Sequence, residues 1–257
     1  MLFDSHAHLN DARFDEDREA LIQKLQEEHV DLVLNPGADI ETSISSVELA
    51  NKYDFIYAAV GVHPHDVKDL DDTAIDTLRK LATENEKVVA IGEIGLDYYY
   101  DNSPREVQKE WFKKQIELAN ELKLPIIIHD RDAHQDTFEI IKNTKSPEIG
   151  CVLHCYSGNV ELAKEYVKMG YYIGVGGVVT FKNSRVLKEV VKAIPLECIV
   201  VETDCPYLAP APHRGKRNSS AYLPLVIEEI ARLKEITAEE VENVTYENAQ
   251  RLYGLIH

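Results

Sequence analysis

The chain lacks several sequence features that would by themselves assign it to a class of protein. Its 257 residues include four cysteines, Cys151, Cys155, Cys198 and Cys205, and no two of them form a CxxC pair. These spacings exclude the usual cysteine-based zinc sites, so we expect buried, reduced thiols. The 12 glycines and 10 prolines are spread along the chain and do not mark a linker. A single domain over residues 1–257 is therefore predicted.

Long apolar runs are also missing. No stretch approaches the roughly 18 consecutive apolar residues of a membrane-spanning helix. The first residues, MLFDSHAHLN, lack the basic region and apolar run of a signal peptide. We expect a cytoplasmic protein that binds no membrane, and the sequence indicates no obligate protein partner.

Positive charge is scarce. The chain has 28 Lys and Arg against 45 Asp and Glu, which gives a net charge of −17. Such a surface repels nucleic acid wherever the negative charge faces the ligand, so a broad polyanion-binding surface is disfavoured. One basic run, His213 to Arg217, leaves room for a locally positive site on an acidic body.

What the sequence does contain is a regular alternation of short apolar runs and helical patterns. The predicted strands are LFDSHAHL near residue 2, DLVLNPG from Asp31, FIYAAVGVH from Phe55, VVAIGEIG from Val88, PIIIHD from Pro125, CVLHCY from Cys151, YYIGVGG from Tyr171 and CIVVETD from Cys198. Helices are predicted at about 15–28, 40–52, 72–85, after Ser103-Pro104 to Leu122, 133–143, 160–169, 185–193, 222–233 and from Thr237 onward. Eight strands in strict alternation with helices favour a (β/α)8 TIM barrel over an open doubly wound sheet.

Active sites of such barrels lie at the C-terminal ends of the strands, and six of the eight runs end in chemically informative residues. These are His6 and His8, His63 and His65, Glu93, His129 and Arg131, His154, and Glu202 and Asp204. Because side chains two apart on a strand share a face, His6 and His8 should point together. By the same alternation Arg131 should lie one layer above His129, where it suits a phosphate contact. Glu202 should lie one layer below Asp204, where it suits support of that ligand.

Four histidines and two carboxylates at strand ends would be costly to bury without cations or hydrogen-bond partners. The predicted metal ligands are His6, His8, Glu93, His129, His154 and Asp204. Imidazole and carboxylate donors without thiolate suit zinc, magnesium or manganese. Six ligands exceed the three protein groups of a single catalytic zinc, so we expect two divalent ions with Glu93 shared between them.

The motifs that carry these residues resemble those of the TatD family of metal-dependent deoxyribonucleases, which belongs to the amidohydrolase-like hydrolases. They are DSHAHL at 4–9, VGVHPH at 60–65, GEIGLDYY at 92–99, IIIHDRDA at 126–133, LHCYSG at 153–158 and ETDCPYLAPAPHRGKRN at 202–218. The resemblance covers essentially the whole chain.

This resemblance implies 3′-to-5′ hydrolysis of DNA with divalent metal, and we expect single-stranded ends as the substrate. One ion would be held by His6, His8, Glu93 and Asp204, and the other by Glu93, His129 and His154. Glu93 and Asp204 would be the catalytic residues, with Asp204 orienting or deprotonating the attacking water. Contacts with the phosphate or the leaving group would come from His63, His65, Arg131 and Arg214.

Two other functions remain open from the sequence. The first is a barrel hydrolase of a small amide, lactone or phosphoester. Many such relatives bridge their metals with a carboxylated lysine at the end of strand four, where this chain has Glu93. The second is a non-catalytic nucleic-acid or protein-binding module, which is disfavoured because all six expected ligands are present.

Overall fold

The computed structural model describes residues 1–256, in which eight strands alternate with α-helices. The strands are β1 (Leu2–Asp4), β2 (Val30–Pro36), β3 (Ile56–Val60), β4 (Val88–Asp97), β5 (Ile126–Arg131), β6 (Cys151–Leu153), β7 (Tyr172–Val175) and β8 (Ile199–Val201). The helices are α1 (Arg18–Glu27), α2 (Ile40–Lys52), α3 (Thr73–Glu84), α4 (Arg105–Leu122), α5 (His134–Thr144), α6 (Val160–Lys168), α7 (Arg185–Ala193), α8 (Leu223–Lys234) and α9 (Ala238–Leu252). This order confirms the predicted (β/α)8 TIM-barrel class.

The helix predictions are close to the structure because apolar periodicity and end signals determine most boundaries. The predicted ranges 40–52 and 185–193 match α2 and α7. Helix α2 begins with a capping box, in which Asp39 and Thr42 satisfy each other's backbone N–H groups. Helix α1 begins three residues later than predicted, because a 3-10 turn capped by Asp11 precedes it. Pro104 is the N-cap of α4, which begins at Arg105 as predicted.

Several strands end earlier than predicted. Strand β1 stops at Asp4, β6 at Leu153 and β8 at Val201. As a result His6, His8, His63, His154 and Asp204 all lie just beyond strand ends. Strict alternation along a strand therefore cannot by itself determine where these side chains point, and local hydrogen bonds have to do so.

The chain divides into two compact units. The first contains Met1–Asn35 and the chain from Cys155 onward, and the second is Pro36–His154. In the first unit β1 pairs with β2 and β7 pairs with β8, both in parallel. In the second unit β3 to β6 pair consecutively and in parallel. The predicted single domain stays a prediction.

Strand β4 is the longest strand, and all ten of its residues are buried. Its register with β5 places Gly95 beside His129 and Asp97 beside Arg131. A Cβ at Gly95 would lie 1.9 Å from the His129 carbonyl oxygen, and the φ angle of this glycine is +147°. Only a residue without a side chain therefore permits the close approach of β4 to the backbone of His129.

Within residues 1–256, no helix combines the length and the low charge that crossing a membrane would require.

Gly95→Ala should destabilise the fold by about 3–5 kcal/mol, because it adds both backbone strain and a clash with backbone. Gly170→Ala is the matched control. Its φ is +77°, but the described chain places no atom within 4 Å of the added Cβ. The control should lose only about 1–2 kcal/mol. Urea unfolding followed by circular dichroism would measure both, and equal losses would contradict the role of the close approach.

Candidate functional site

The first donor group consists of His6, His8 and Asp204, all in the first unit. The Nε2 atoms of His6 and His8 lie 3.2 Å apart. Asp204 Oδ1 is 3.5 Å from His8 Nε2 and 4.0 Å from His6 Nε2. Three donors about 2.0–2.2 Å from one tetrahedral ion would be roughly 3.3–3.6 Å apart, so this spacing fits a divalent cation.

Backbone hydrogen bonds explain why these residues meet although β1 and β8 have ended. Ser5 N donates to Val201 O at 3.1 Å, Asp204 N to His6 O at 2.9 Å, and His8 N to Cys205 O at 2.8 Å. The ladder between the two chain segments thus continues past the assigned strands. Asp204 has a φ of +56°, a conformation uncommon for a non-glycine residue.

Two buried carboxylates support the loops around this group. Asp4 accepts hydrogen bonds from Thr203 N at 2.9 Å and from Thr203 Oγ1 at 2.5 Å. Burial raises the pKa of Asp4 to about 7 despite these hydrogen bonds. Glu202 accepts a hydrogen bond from Cys155 N at 2.6 Å. Glu202 therefore fixes the loop after β6, in addition to its expected place beneath Asp204.

The second donor group consists of His63, Glu93, His129 and His154, all in the second unit. Glu93 Oε1 is 2.9 Å from His129 Nδ1 and 3.6 Å from His63 Nε2. Its distance to His154 Nε2 is 4.0 Å. Ligand atoms of His63, Glu93 and His129 lie close enough together to hold one ion. His63, which the sequence predicts as a substrate contact, lies among these donors.

Asp97 is the important residue that the sequence interpretation missed. Its carboxylate is fully buried, and Oδ2 lies 2.8 Å from His65 Nε2 and 3.0 Å from His129 Nε2. An ionised carboxylate only accepts, so both Nε2 atoms carry hydrogens and His129 Nδ1 faces Glu93. A carboxylate that orients a histidine in this way is typical of metal sites. The available signal was its spacing, because Asp97 lies four residues after Glu93 on the same strand.

The titration of these groups follows from burial and hydrogen bonding. Burial alone would raise the pKa of Asp97, but hydrogen bonds from His129, the backbone of Tyr100 and His65 hold it well below its usual value. Burial alone would lower the pKa of His129, but its bonds with Asp97 and Glu93 raise it to about 9. Burial lowers the pKa of His63 well below its usual value, and the adjacent His129 contributes. His63 is therefore a neutral ring, and its Nδ1 accepts a hydrogen bond from His65 N at 3.2 Å.

The other predicted substrate contacts lie against aromatic rings. The guanidinium of Arg131 is 4.1 Å from the ring centre of Tyr99 and 4.8 Å from that of Tyr100. Arg214 is exposed, and its guanidinium is 4.4 Å from the ring centre of Phe181. These contacts hold the two flat cations against aromatic rings.

The four cysteines all lie within the described residues and form no disulfide there. Cys151 and Cys205 are buried, as predicted, whereas Cys155 and Cys198 are half-buried. Burial raises the pKa of both Cys151 and Cys205 to about 12. Such thiols remain protonated at neutral pH, which fits donor groups of imidazole and carboxylate.

Comparison with known proteins covers almost the whole chain. A family model described as TatD related DNase matches residues 3–254. The Bacillus subtilis (strain 168) protein named uncharacterized metal-dependent hydrolase YabD is 48% identical, over 99% of this chain and 100% of the relative. The Escherichia coli (strain K12) protein YcfH, with the same description, is 38% identical over 99% of this chain and 96% of its own.

A solved structure agrees with these sequence relatives. The crystal structure of YJJV, a TatD homolog from Escherichia coli K12, superposes with a TM-score of 0.93 at 30% identity, and the match covers 98% of each chain. The family model, the sequence relatives and the solved structure thus each match almost the whole chain. The chain belongs to the TatD family of metal-dependent hydrolases.

Proposed function

We propose that the protein is a deoxyribonuclease that requires divalent metal and removes nucleotides from single-stranded DNA ends in the 3′-to-5′ direction. The observation that carries this proposal is the pair of compact imidazole and carboxylate donor groups at strand ends in a TatD-family chain. The description of the family model as a DNase supports DNA as the substrate.

Six residues would hold two cations: His6, His8, Glu93, His129, His154 and Asp204. Active sites of (β/α)8 barrels lie at the C-terminal ends of the strands, and each donor group lies at strand ends of its own unit. Glu93 would contribute to both ions. Zinc, magnesium or manganese would fit these donors. Divalent cations held there would supply Lewis acidity, which polarises the phosphate and activates a water molecule.

The chain's own groups would then orient the substrate and move the proton. Asp204 would accept the proton of the attacking water at a carboxylate oxygen, and its backbone hydrogen bond to His6 fixes its position. Arg131 and Arg214 would contact phosphate oxygens. His65, whose Nε2 is held by Asp97, would lie beside the leaving group, and His63 would contact the substrate from within the second donor group.

The pairing of basic side chains favours binding of only a short stretch of DNA. Arg217 of the basic run is paired with Asp17 at 2.5 Å, and Arg13 is paired with Asp11 at 2.8 Å. These ion pairs remove positive charge that a long phosphate backbone would need. Binding would therefore depend mainly on the cations and on a few unpaired basic side chains.

The hydrolysis of a small amide, lactone or phosphoester is the main alternative. A non-catalytic binding module is the other alternative, and the agreement of the relatives' names with hydrolysis makes it less suitable. Turnover of a cyclic amide or lactone, with no hydrolysis of DNA, would select the first alternative.

Asp204→Asn should reduce DNA hydrolysis by at least about 1,000-fold, because the amide cannot accept the proton of the water. The control is Asp132→Asn, an exposed aspartate that also has a positive φ, of +55°. The control should keep its activity. Gel analysis of 5′-labelled and 3′-labelled single-stranded oligonucleotides would measure rate and polarity. Absence of hydrolysis by wild type with Zn²⁺, Mg²⁺ and Mn²⁺ would overturn the proposal.

Asp97→Asn should weaken divalent-metal binding by about 10–100-fold, because Asp97 holds the ring of His129 in its coordinating orientation. Calorimetric titration of metal-depleted protein with Zn²⁺ would give the affinity and the number of ions. Wild type should bind about two ions per chain, and Asp132→Asn should behave like wild type. An unchanged affinity in Asp97→Asn would contradict this role.

The affinity for a short single strand should depend only weakly on salt. If two or three phosphates are neutralised, log K should fall against log[salt] with a slope of about −1.4 to −2.1. Fluorescence anisotropy with an inactive Asp204→Asn protein at fixed metal concentration would measure this slope. A slope steeper than about −5 would indicate a long electrostatic footprint and contradict the short contact.

A further inference from the structure

Two adjacent tyrosines after β4 expose much of their surface. Tyr99 is 58% exposed and Tyr100 is 55% exposed. Their ring centres are 4.9 Å apart and their planes are almost perpendicular, at 89°. Exposing two large aromatic rings side by side gives up the stabilisation that burial would provide. Such a pair indicates a surface that another molecule covers.

Arg131 completes this surface. The β4–β5 register places Arg131 beside Asp97, and Tyr98 N donates to Arg131 O at 2.9 Å. Its guanidinium lies 4.1 Å and 4.8 Å from the ring centres of Tyr99 and Tyr100. We call Tyr99, Tyr100 and Arg131 the aromatic platform.

Asp97 connects the aromatic platform rigidly to the second donor group. Its Oδ1 atom accepts hydrogen bonds from Tyr99 N at 3.0 Å and from Tyr100 N at 2.8 Å. Its Oδ2 atom is bound by His65 and His129. The ring of Tyr100 also lies edge-on to that of His65, with centres 5.3 Å apart. The platform therefore has a fixed position next to the candidate reaction site.

Two other cation–ring contacts in the second unit have a different character. Lys114 lies over Trp111, but that ring is only 5% exposed. Lys87 lies over Tyr57, which is half-buried at the opposite, N-terminal part of its strand β3. These contacts cover a buried or half-buried ring. Only the aromatic platform, among these three, combines exposed rings with a flat cation beside the candidate site.

We propose that the aromatic platform binds the unpaired nucleobase next to the scissile phosphate by stacking. This inference rests on the proposed function and specifies its substrate. A nucleobase is flat, so it can stack on the face of one of the two perpendicular rings or on the guanidinium, and stacking of this kind tolerates any base. A base still paired and stacked in a duplex would not present its face, so the platform selects single-stranded ends.

The test compares two labelled single-stranded oligonucleotides that differ only at the cleaved end. One carries a normal base there and the other an abasic tetrahydrofuran residue. For wild type, kcat/KM should be about 5- to 150-fold higher with the base, the range expected for one stacked base. In Tyr99→Ala/Tyr100→Ala this preference, measured as the ratio of the two kcat/KM values, should disappear. Tyr99→Phe/Tyr100→Phe should retain the preference.

Tyr57→Ala is the matched control, because it also removes a cation–ring contact but lies away from the site. It should retain the wild-type preference. Circular dichroism would establish that each variant is folded. A preference for the base that persists in Tyr99→Ala/Tyr100→Ala would overturn the platform.

A binding measurement separates the platform from the proposed reaction. With Asp204→Asn as background, anisotropy should show tighter binding of the oligonucleotide that carries the base, and this difference should vanish when both tyrosines are alanine. Equal affinity for the two oligonucleotides would overturn the platform even if wild type hydrolyses DNA. Tighter binding of the base without hydrolysis of any DNA by wild type would support the platform and refute the proposed nuclease.

Discussion

The carboxylate of Asp97 is the constraint on which the second unit's site depends. It is fully buried, and its two oxygens have separate tasks. One oxygen receives the Nε2 hydrogens of His65 and His129, while the other receives the backbone hydrogens of Tyr99 and Tyr100. Removing a charge from water is costly, and these four donors offset that cost by solvating the carboxylate inside the protein. In return the carboxylate fixes the ring that faces Glu93.

Gly95 makes this arrangement sterically possible. It lies between Glu93 and Asp97 on β4, and its register partner is His129. Because it has no side chain, the backbone of β5 can approach closely enough for the His129 ring to reach both carboxylates. The Glu-x-Gly-x-Asp spacing is therefore one functional unit, in which the outer residues supply charge and the middle residue supplies space.

The sequence was sufficient for the fold class and for the approximate helix boundaries, since both follow from apolar periodicity and capping residues. It also identified the histidines and carboxylates at the strand ends. It did not identify Asp97, because the predicted strand stopped at Gly95, whereas β4 continues to Asp97. Nor could the sequence show that His63 lies near Glu93, since His63 follows β3 in a loop whose path depends on tertiary contacts. Residues beyond strand ends have no periodicity from which their direction can be read.

The pairing of His6 and His8 was nevertheless predicted correctly from strand alternation, although neither residue belongs to β1. The reason is the backbone ladder that continues beyond the assigned strands, from Ser5 to His8 on one side and from Val201 to Cys205 on the other. Ala7 N also donates to Leu34 O at 3.0 Å, so this segment is bonded on both sides and keeps the alternation of a strand. Asp204 has a φ of +56°, and its Oδ1 lies 3.5 Å from His8 Nε2. Backbone hydrogen bonds hold Asp204 in this uncommon conformation, so its carboxylate has a fixed position. A proton acceptor needs such a fixed position relative to the attacking water.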